Sequence, residues 1–89
     1  MESRATGKFW KAFEKLPANI REIAKKNFTL WKENSFHPSL EFKQVNAIKL
    51  VYSVRIGLDW RALGVKENNT VTWFWIGSHS DYDKLLDSF

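Results

Sequence analysis

Eighty-nine residues with 44% hydrophobic content, five Trp and seven Phe make one core, not two, and exclude a disordered chain. There is no cysteine, which excludes disulfides and thiolate metal sites and suits a reducing cytoplasm. The formal charge of +4 and pI of about 9.5 favour a polyanionic partner, nucleic acid or an acidic protein segment, although a charge of this size also serves solubility alone.

The N-terminus, Met1 to Lys8, leads into an amphipathic pattern and does not read as a signal peptide. No apolar run approaches the ~18–20 residues of a membrane span. Phe9, Phe13 and Leu16 recur at helical spacing, with Lys8, Lys11, Glu14 and Lys15 largely off that stripe. Pro17 stops this first helix and suits the start of the next. Ile20, Ala24, Phe28 and Trp31, with Ile23 beside them, predict a second helix that fades near Glu33 and Asn34. With a connection of one or two residues, the two helices are expected to fold back as an antiparallel pair.

After the loop of residues 35–39 the period changes. Leu40 to Val45 alternates apolar and polar, the pattern of a half-buried strand, and Asn46 to Lys49 is a connection. Val51 to Ile56 predicts a second strand with Tyr52, Val54 and Ile56 on one face and Ser53 and Arg55 on the other. Gly57 to Trp60 reads as a hairpin turn, Arg61 to Val65 as a third strand, and Lys66 to Asn69 as a turn whose asparagines tolerate positive φ. Thr70 to Ile76 is apolar on both faces, which predicts a central fourth strand or one with a protein partner on one side. Gly77 is expected to end it in a sharp turn. Ser80 with Asp83 resembles a capping box opening a short helix through Leu85 and Leu86. The order predicts one α+β domain over residues 1–89, a helical hairpin on one face of a four-stranded antiparallel sheet.

Several side chains invite a chemical reading, each with a plain structural alternative. Arg55, opposite the core set of its strand, either grips a phosphate in bidentate fashion or stands solvated. With a four-residue loop Ile56 pairs with Arg61, which puts Arg55 and Arg61 on opposite faces and makes Arg61 structural. Glu41 and Lys43 share the face opposite Phe42, as a base and a phosphate contact or as a solvated strand face. Asp59 sits in a turn, where aspartate is common for backbone reasons, and His37 reads as an ordinary loop residue. His79 follows a buried strand and a glycine, which places a group able to titrate near neutral pH at a sheet end. Tyr82, three residues on, stacks on a base, assists proton transfer or packs on the sheet. The two histidines come without carboxylates at zinc-ligand spacing. The tryptophans read mostly as core, with one or two left to cover a partner.

Together, the helical hairpin, His37-Pro38-Ser39-Leu40, Tyr52-Ser53-Val54-Arg55-Ile56, Asp59-Trp60-Arg61-Ala62-Leu63 and Ile76-Gly77-Ser78-His79-Ser80-Asp81-Tyr82 resemble the RelE/ParE superfamily of type II toxin–antitoxin toxins over nearly the whole chain. The ending is most similar to YafQ-like toxins, where Gly-Thr-His-Ser-Asp closes the last strand. The resemblance implies a microbial RNase-like fold, two helices on a twisted antiparallel sheet. It implies a cytoplasmic protein whose RNase branch cuts messenger RNA in the ribosomal A site without a metal or other cofactor. In that branch His79 matches the C-terminal acid/base histidine and Arg55 the strand arginine on the scissile phosphate. Asp59 matches the aspartate before the next strand of YafQ-like members. Tyr82 falls near a C-terminal aromatic position, and Lys43 approximates basic residues of the preceding strand. RelE itself relies on a cluster of lysines and arginines, and this face is sparser here.

Metal-free RNA cleavage needs a base for the 2′-hydroxyl, a cation for the phosphorane and an acid for the leaving 5′-oxygen. The expected assignments are Arg55 on the phosphate, His79 as acid or base, and Glu41 or Asp59 in the complementary role. Tyr82 would stack on a base, with Lys43 and Arg61 as further RNA contacts. Two other readings share the fold: a ParE-like toxin that poisons DNA gyrase by protein contact and does not need the Arg55–His79 pair, and a catalytically silent binding domain. Either toxin reading implies a cognate antitoxin whose acidic or amphipathic segment wraps the basic sheet and helices.

Overall fold

The change of hydrophobic period near residue 40 is where helix gives way to sheet. The computed structural model describes residues 1–88. In chain order it contains strand β1 (Glu2–Ala5), helices α1 (Gly7–Glu14) and α2 (Ala18–Glu33), a 3₁₀ turn (Pro38–Leu40), strands β2 (Lys43–Asn46), β3 (Val51–Ile56), β4 (Trp60–Glu67) and β5 (Thr70–Ser78), and helix α3 (His79–Leu86).

Local chemistry explains the helix ends. Thr6 caps α1 by accepting from the Phe9 N–H through its Oγ1 at 3.1 Å. Pro17, with φ −54°, is the N-cap of α2. Arg21 reaches back from α2 to donate to the Leu16 carbonyl at 2.6 Å and the Glu14 carbonyl at 3.3 Å. A guanidinium on the free carbonyls at the end of α1 both satisfies them and complements the helix dipole. Phe9 and Phe28 meet edge to face at 5.8 Å between α1 and α2, and Trp31 and Trp73 do so at 5.5 Å between α2 and β5.

The sheet has five strands in the order β1-β5-β4-β3-β2, antiparallel except that β1 runs parallel to β5. The α+β class therefore holds with one strand more than the sequence suggests. Residues 2–5 are short and polar and show no hydrophobic period; they become a strand because β5 offers its edge. Flanked by β1 and β4, β5 occupies the central position its two-sided apolar pattern predicts. Val54, Ile56, Ala62, Val71, Trp73 and Ile76 face α1 and α2 in the main core. Val51, Leu63 and Tyr82 form a second, smaller core on the opposite face, with Trp75, Leu85 and Leu86 against it. Helices thus cover both faces, the hairpin one and α3 the other. Among the described residues no helix is long and apolar enough to cross a membrane.

Three local expectations are corrected. Strand β2 begins at Lys43; Leu40 lies in the 3₁₀ turn and Glu41 follows it with φ 44°, so Glu41 precedes the ladder instead of sitting in it. Gly77 does not end β5 but pairs with Arg61 inside the ladder. Its missing Cβ makes room for the Trp75 ring, which would lie 2.6 Å from an added methyl. Helix α3 starts two residues earlier than the Ser80–Asp83 box suggests: Ser78 is its N-cap and accepts from the Asp81 N–H at 3.1 Å.

Candidate functional site

The register of β3 on β4 decides which side chains meet. Ile56 pairs with Trp60, leaving a three-residue turn of Gly57, Leu58 and Asp59, with Gly57 at φ 62°. Arg55 then lies directly opposite Arg61. The expectation that the two arginines point to opposite faces is corrected, because the loop is one residue shorter and a one-residue slip exchanges the faces. Both arginines emerge beside α3, on the face away from the helical hairpin.

Each guanidinium is held differently. Arg55 donates from Nε to the Gly57 carbonyl at 2.9 Å and from Nη1 to Glu41 Oε2 at 3.1 Å. The backbone carbonyl of Arg55 accepts from Asn27 Nδ2 at 3.1 Å, which ties α2 to the strand behind the site. Arg61 is buried, with a side chain only 10% exposed, and its Nη1 lies 3.6 Å from the same Glu41 oxygen. At that distance the charges attract but no hydrogen bond forms, and among the described residues the buried Nη1 has no hydrogen-bond partner. Beneath it lies the Tyr82 ring, whose centroid is 5.9 Å from the guanidinium carbon.

Tyr82 is itself 5% exposed and its hydroxyl donates to Ser53 Oγ at 3.5 Å. Its ring is the floor under Arg61 and has no open face for a base, so the expectation of base stacking there is corrected. The His79 ring lies beside it, 5.6 Å between centroids and tilted by 59°. His79 is the first residue of α3 and its side chain is 43% exposed. Its backbone N–H donates to the Asp59 carbonyl at 2.6 Å, and its Nδ1 lies 3.2 Å from Asp83 Oδ2, an ion pair when the ring is protonated.

The fold therefore gathers Glu41, Arg55, Arg61, Tyr82 and His79 at one end of one face. Asp59 contributes its carbonyl while its residue is exposed in the turn, and Lys43 is exposed on β2 opposite Ser53. Glu41 is bound to the two arginines and does not pair with Lys43 as a strand neighbour. His37 caps the 3₁₀ turn, its Nδ1 accepting from the Ser39 N–H at 3.2 Å. Asn27, Ser53 and Asp83 join the surroundings of the site although the sequence did not mark them as site residues. Ser53 left a signal there, its place on the Arg55 face of the strand, and Asp83 another, its i, i+4 spacing from His79. Chemically, the cluster offers two fixed cations, one carboxylate between them and an accessible imidazole. Among the described residues no group of three or more His, Cys, Asp or Glu is placed to hold a metal ion.

A separate groove of about 460 Å³ opens on the other side of the molecule. Phe9, Trp10, Phe13, Phe28 and Trp73 line it, with Arg4, Lys25 and Lys32 around them. Lys25 shares its charge with Glu22 at 3.2 Å.

Among curated proteins none matches the chain. Solved structures do match in fold. One is the RelB–RelE antitoxin–toxin complex from Methanococcus jannaschii, with TM-score 0.73 and 20% identity over 91% of this chain and 96% of that one. Another is YafQ from E. coli strain BL21(DE3), with TM-score 0.69 and 15% identity over 91% and 96% of the two chains. The YoeB/ParE toxin from Agrobacterium tumefaciens has TM-score 0.69 and 15% identity over 89% and 99%. At such identities these likenesses speak for the fold alone. The sequence itself adds the family: the ParE-like toxin domain matches residues 18–84, from α2 through most of α3, and this chain belongs to that family, within the RelE/ParE superfamily of toxins.

Proposed function

We propose that this chain is the toxin of a type II toxin–antitoxin pair and that it acts in the cytoplasm as an endoribonuclease on messenger RNA held by the ribosome. The observation that carries the reading is the pairing of Arg55 with Arg61 on one face, at the sheet end where the His79 ring stands beside Tyr82. Cleavage at a phosphodiester moves the 2′-hydroxyl proton to a base, builds negative charge on the phosphorane and protonates the leaving 5′-oxygen. Arg55 meets that charge directly, and Arg61 adds a cation from a desolvated position where its field is less screened. His79 serves as acid or base. Asp59 is the carboxylate for the complementary step, with Lys43 on the approaching RNA backbone.

The partner of this reading is an antitoxin, as in the complex solved for the M. jannaschii relative. The aromatic groove between α1, α2 and β1 suits it. An amphipathic segment would lay its apolar side on Trp10 and Phe13 and its acidic side against Arg4 and Lys32.

The test is cleavage in a ribosome-containing translation mixture, with cut sites mapped on the message. The wild type is expected to cut at codon-positioned sites, and His79→Ala to slow cleavage by about 10²–10⁴-fold. Equal rates for the two would remove His79 from the mechanism, and intact message would end the ribonuclease reading. A second reading, inhibition of DNA gyrase by protein contact, draws on the ParE-like family match and on the carboxylate that already covers both arginines. Loss of gyrase supercoiling with intact message would establish it.

A further inference from the structure

We infer that Glu41 occupies the seat of a phosphate group between Arg55 and Arg61, as an internal anion that an incoming phosphodiester must displace. The inference rests on the proposed RNA-cutting role for its biological meaning; the seat itself rests on geometry.

Three observations support it. One carboxylate oxygen, Glu41 Oε2, serves both guanidiniums, at 3.1 Å from Arg55 and 3.6 Å from Arg61. This contact leaves the donors incompletely used, because Arg61 Nη1 is buried and has no hydrogen-bond partner among the described residues. A buried cationic donor left unpaired is costly, and a tetrahedral phosphate presents several oxygens, enough to hydrogen-bond two guanidiniums at once. The third observation concerns which side of the contact can move. Arg55 is fixed by the Gly57 carbonyl, and Arg61 is sandwiched between Glu41 and the Tyr82 ring. Glu41 stands outside the ladder at φ 44°, with a side chain 40% exposed. The cations are preorganised and the carboxylate is the movable part.

This assignment has a consequence opposite in sign to that of a general base. Replacing a base slows the chemical step. Replacing a competing internal anion clears the seat, so phosphate binds more tightly and substrate is captured at lower concentration.

The experiment is a titration with inorganic phosphate at low salt, followed through the arginine Nε–H resonances. It compares wild type, Glu41→Gln, Arg55→Gln and, as a control for net charge alone, Asp81→Asn. Glu41→Gln is expected to tighten phosphate binding by about tenfold, the equivalent of about one charge-assisted hydrogen bond. The shifts should centre on Arg55 and Arg61. Arg55→Gln is expected to abolish them, and Asp81→Asn to change affinity by less than about twofold, as for an exposed charge. Binding by Glu41→Gln no tighter than by wild type, or an equal gain in Asp81→Asn, would overturn the seat.

In the cleavage assay Glu41→Gln should lower KM without lowering kcat. A fall in kcat of about 10²-fold or more at unchanged KM would make Glu41 the base. The two proposals fail separately. Tighter phosphate binding with intact message leaves the seat and ends the ribonuclease reading. Message cut by wild type with no phosphate effect of Glu41→Gln does the reverse.

Discussion

Tyr82 belongs to the site and the smaller core at once, and the two roles divide between its ring and its hydroxyl. The ring is buried with Val51 and Leu63 and supports the Arg61 guanidinium. The hydroxyl meets Ser53 Oγ only at 3.5 Å, the outer limit of a hydrogen bond. Tyr82→Phe should therefore stay within about 1 kcal/mol of wild type in denaturant unfolding. Tyr82→Ala should cost about 3–5 kcal/mol, as for a large aromatic removed from a core. Losses of equal size would assign the role to the hydroxyl instead. The sequence leaves Tyr82 open between stacking, proton transfer and packing, since a tyrosine three residues past a histidine fits all three. What resolves it is long-range burial against β3 and β4, which no local pattern encodes. The place of His79 at the end of the sheet was legible for the opposite reason: the end of an apolar run is itself a local signal.

At the scale of elements, small differences in length decide where side chains go. The β3–β4 turn illustrates it: Gly57 to Trp60 contains enough turn residues for a loop of three or four, and only the ladder chooses three. That choice brings Arg61 to the side of Arg55. Likewise, Ser78–Asp81 and Ser80–Asp83 both fit the spacing of a capping box. The earlier one wins because β5 continues through Gly77 and the Asp59 carbonyl accepts the His79 N–H. The alternation from Leu40 to Val45 correctly marked Leu40 and Phe42 as buried. A left-handed residue at Glu41 keeps that alternation without a ladder. Strand β1 gave no signal because its pairing is imposed by β5.

The β4–β5 register holds a further constraint at the irregularity between Leu63 and Gly64. A Cβ on Gly64 would lie 2.5 Å from Val71 Cγ1 and 2.8 Å from the Trp73 ring. Both neighbours are buried in the main core and have little room to yield. Gly64→Ala should lose about 1–3 kcal/mol from overpacking, measurable as a lower denaturant midpoint with an unchanged slope. Stability equal to wild type would mean that the β4–β5 irregularity absorbs the methyl.

For the molecule as a whole, the sheet separates two surfaces. The arginine pair and His79 lie on the face shared with α3, whereas the aromatic groove lies among α1, α2 and β1. If the groove holds the antitoxin, binding and cleavage are separable by mutation. Arg4→Glu with Lys32→Glu should weaken antitoxin binding by about tenfold at low salt, in line with two exposed charge pairs. The effect should shrink as salt shortens the Debye length toward about 8 Å at physiological ionic strength. Trp10, 52% exposed at the groove, should behave differently. An aromatic anchor removed from an interface costs about 2 kcal/mol or more, so Trp10→Ala should weaken binding by about thirtyfold, with little dependence on salt. Fluorescence titration of the antitoxin at two salt concentrations distinguishes these responses. Neither variant touches the arginine pair or His79, so message cleavage by the free protein should be retained in both. Full antitoxin affinity after the double charge reversal and after Trp10→Ala would move the antitoxin off this groove, and the face bearing Arg55 would become the surface it covers.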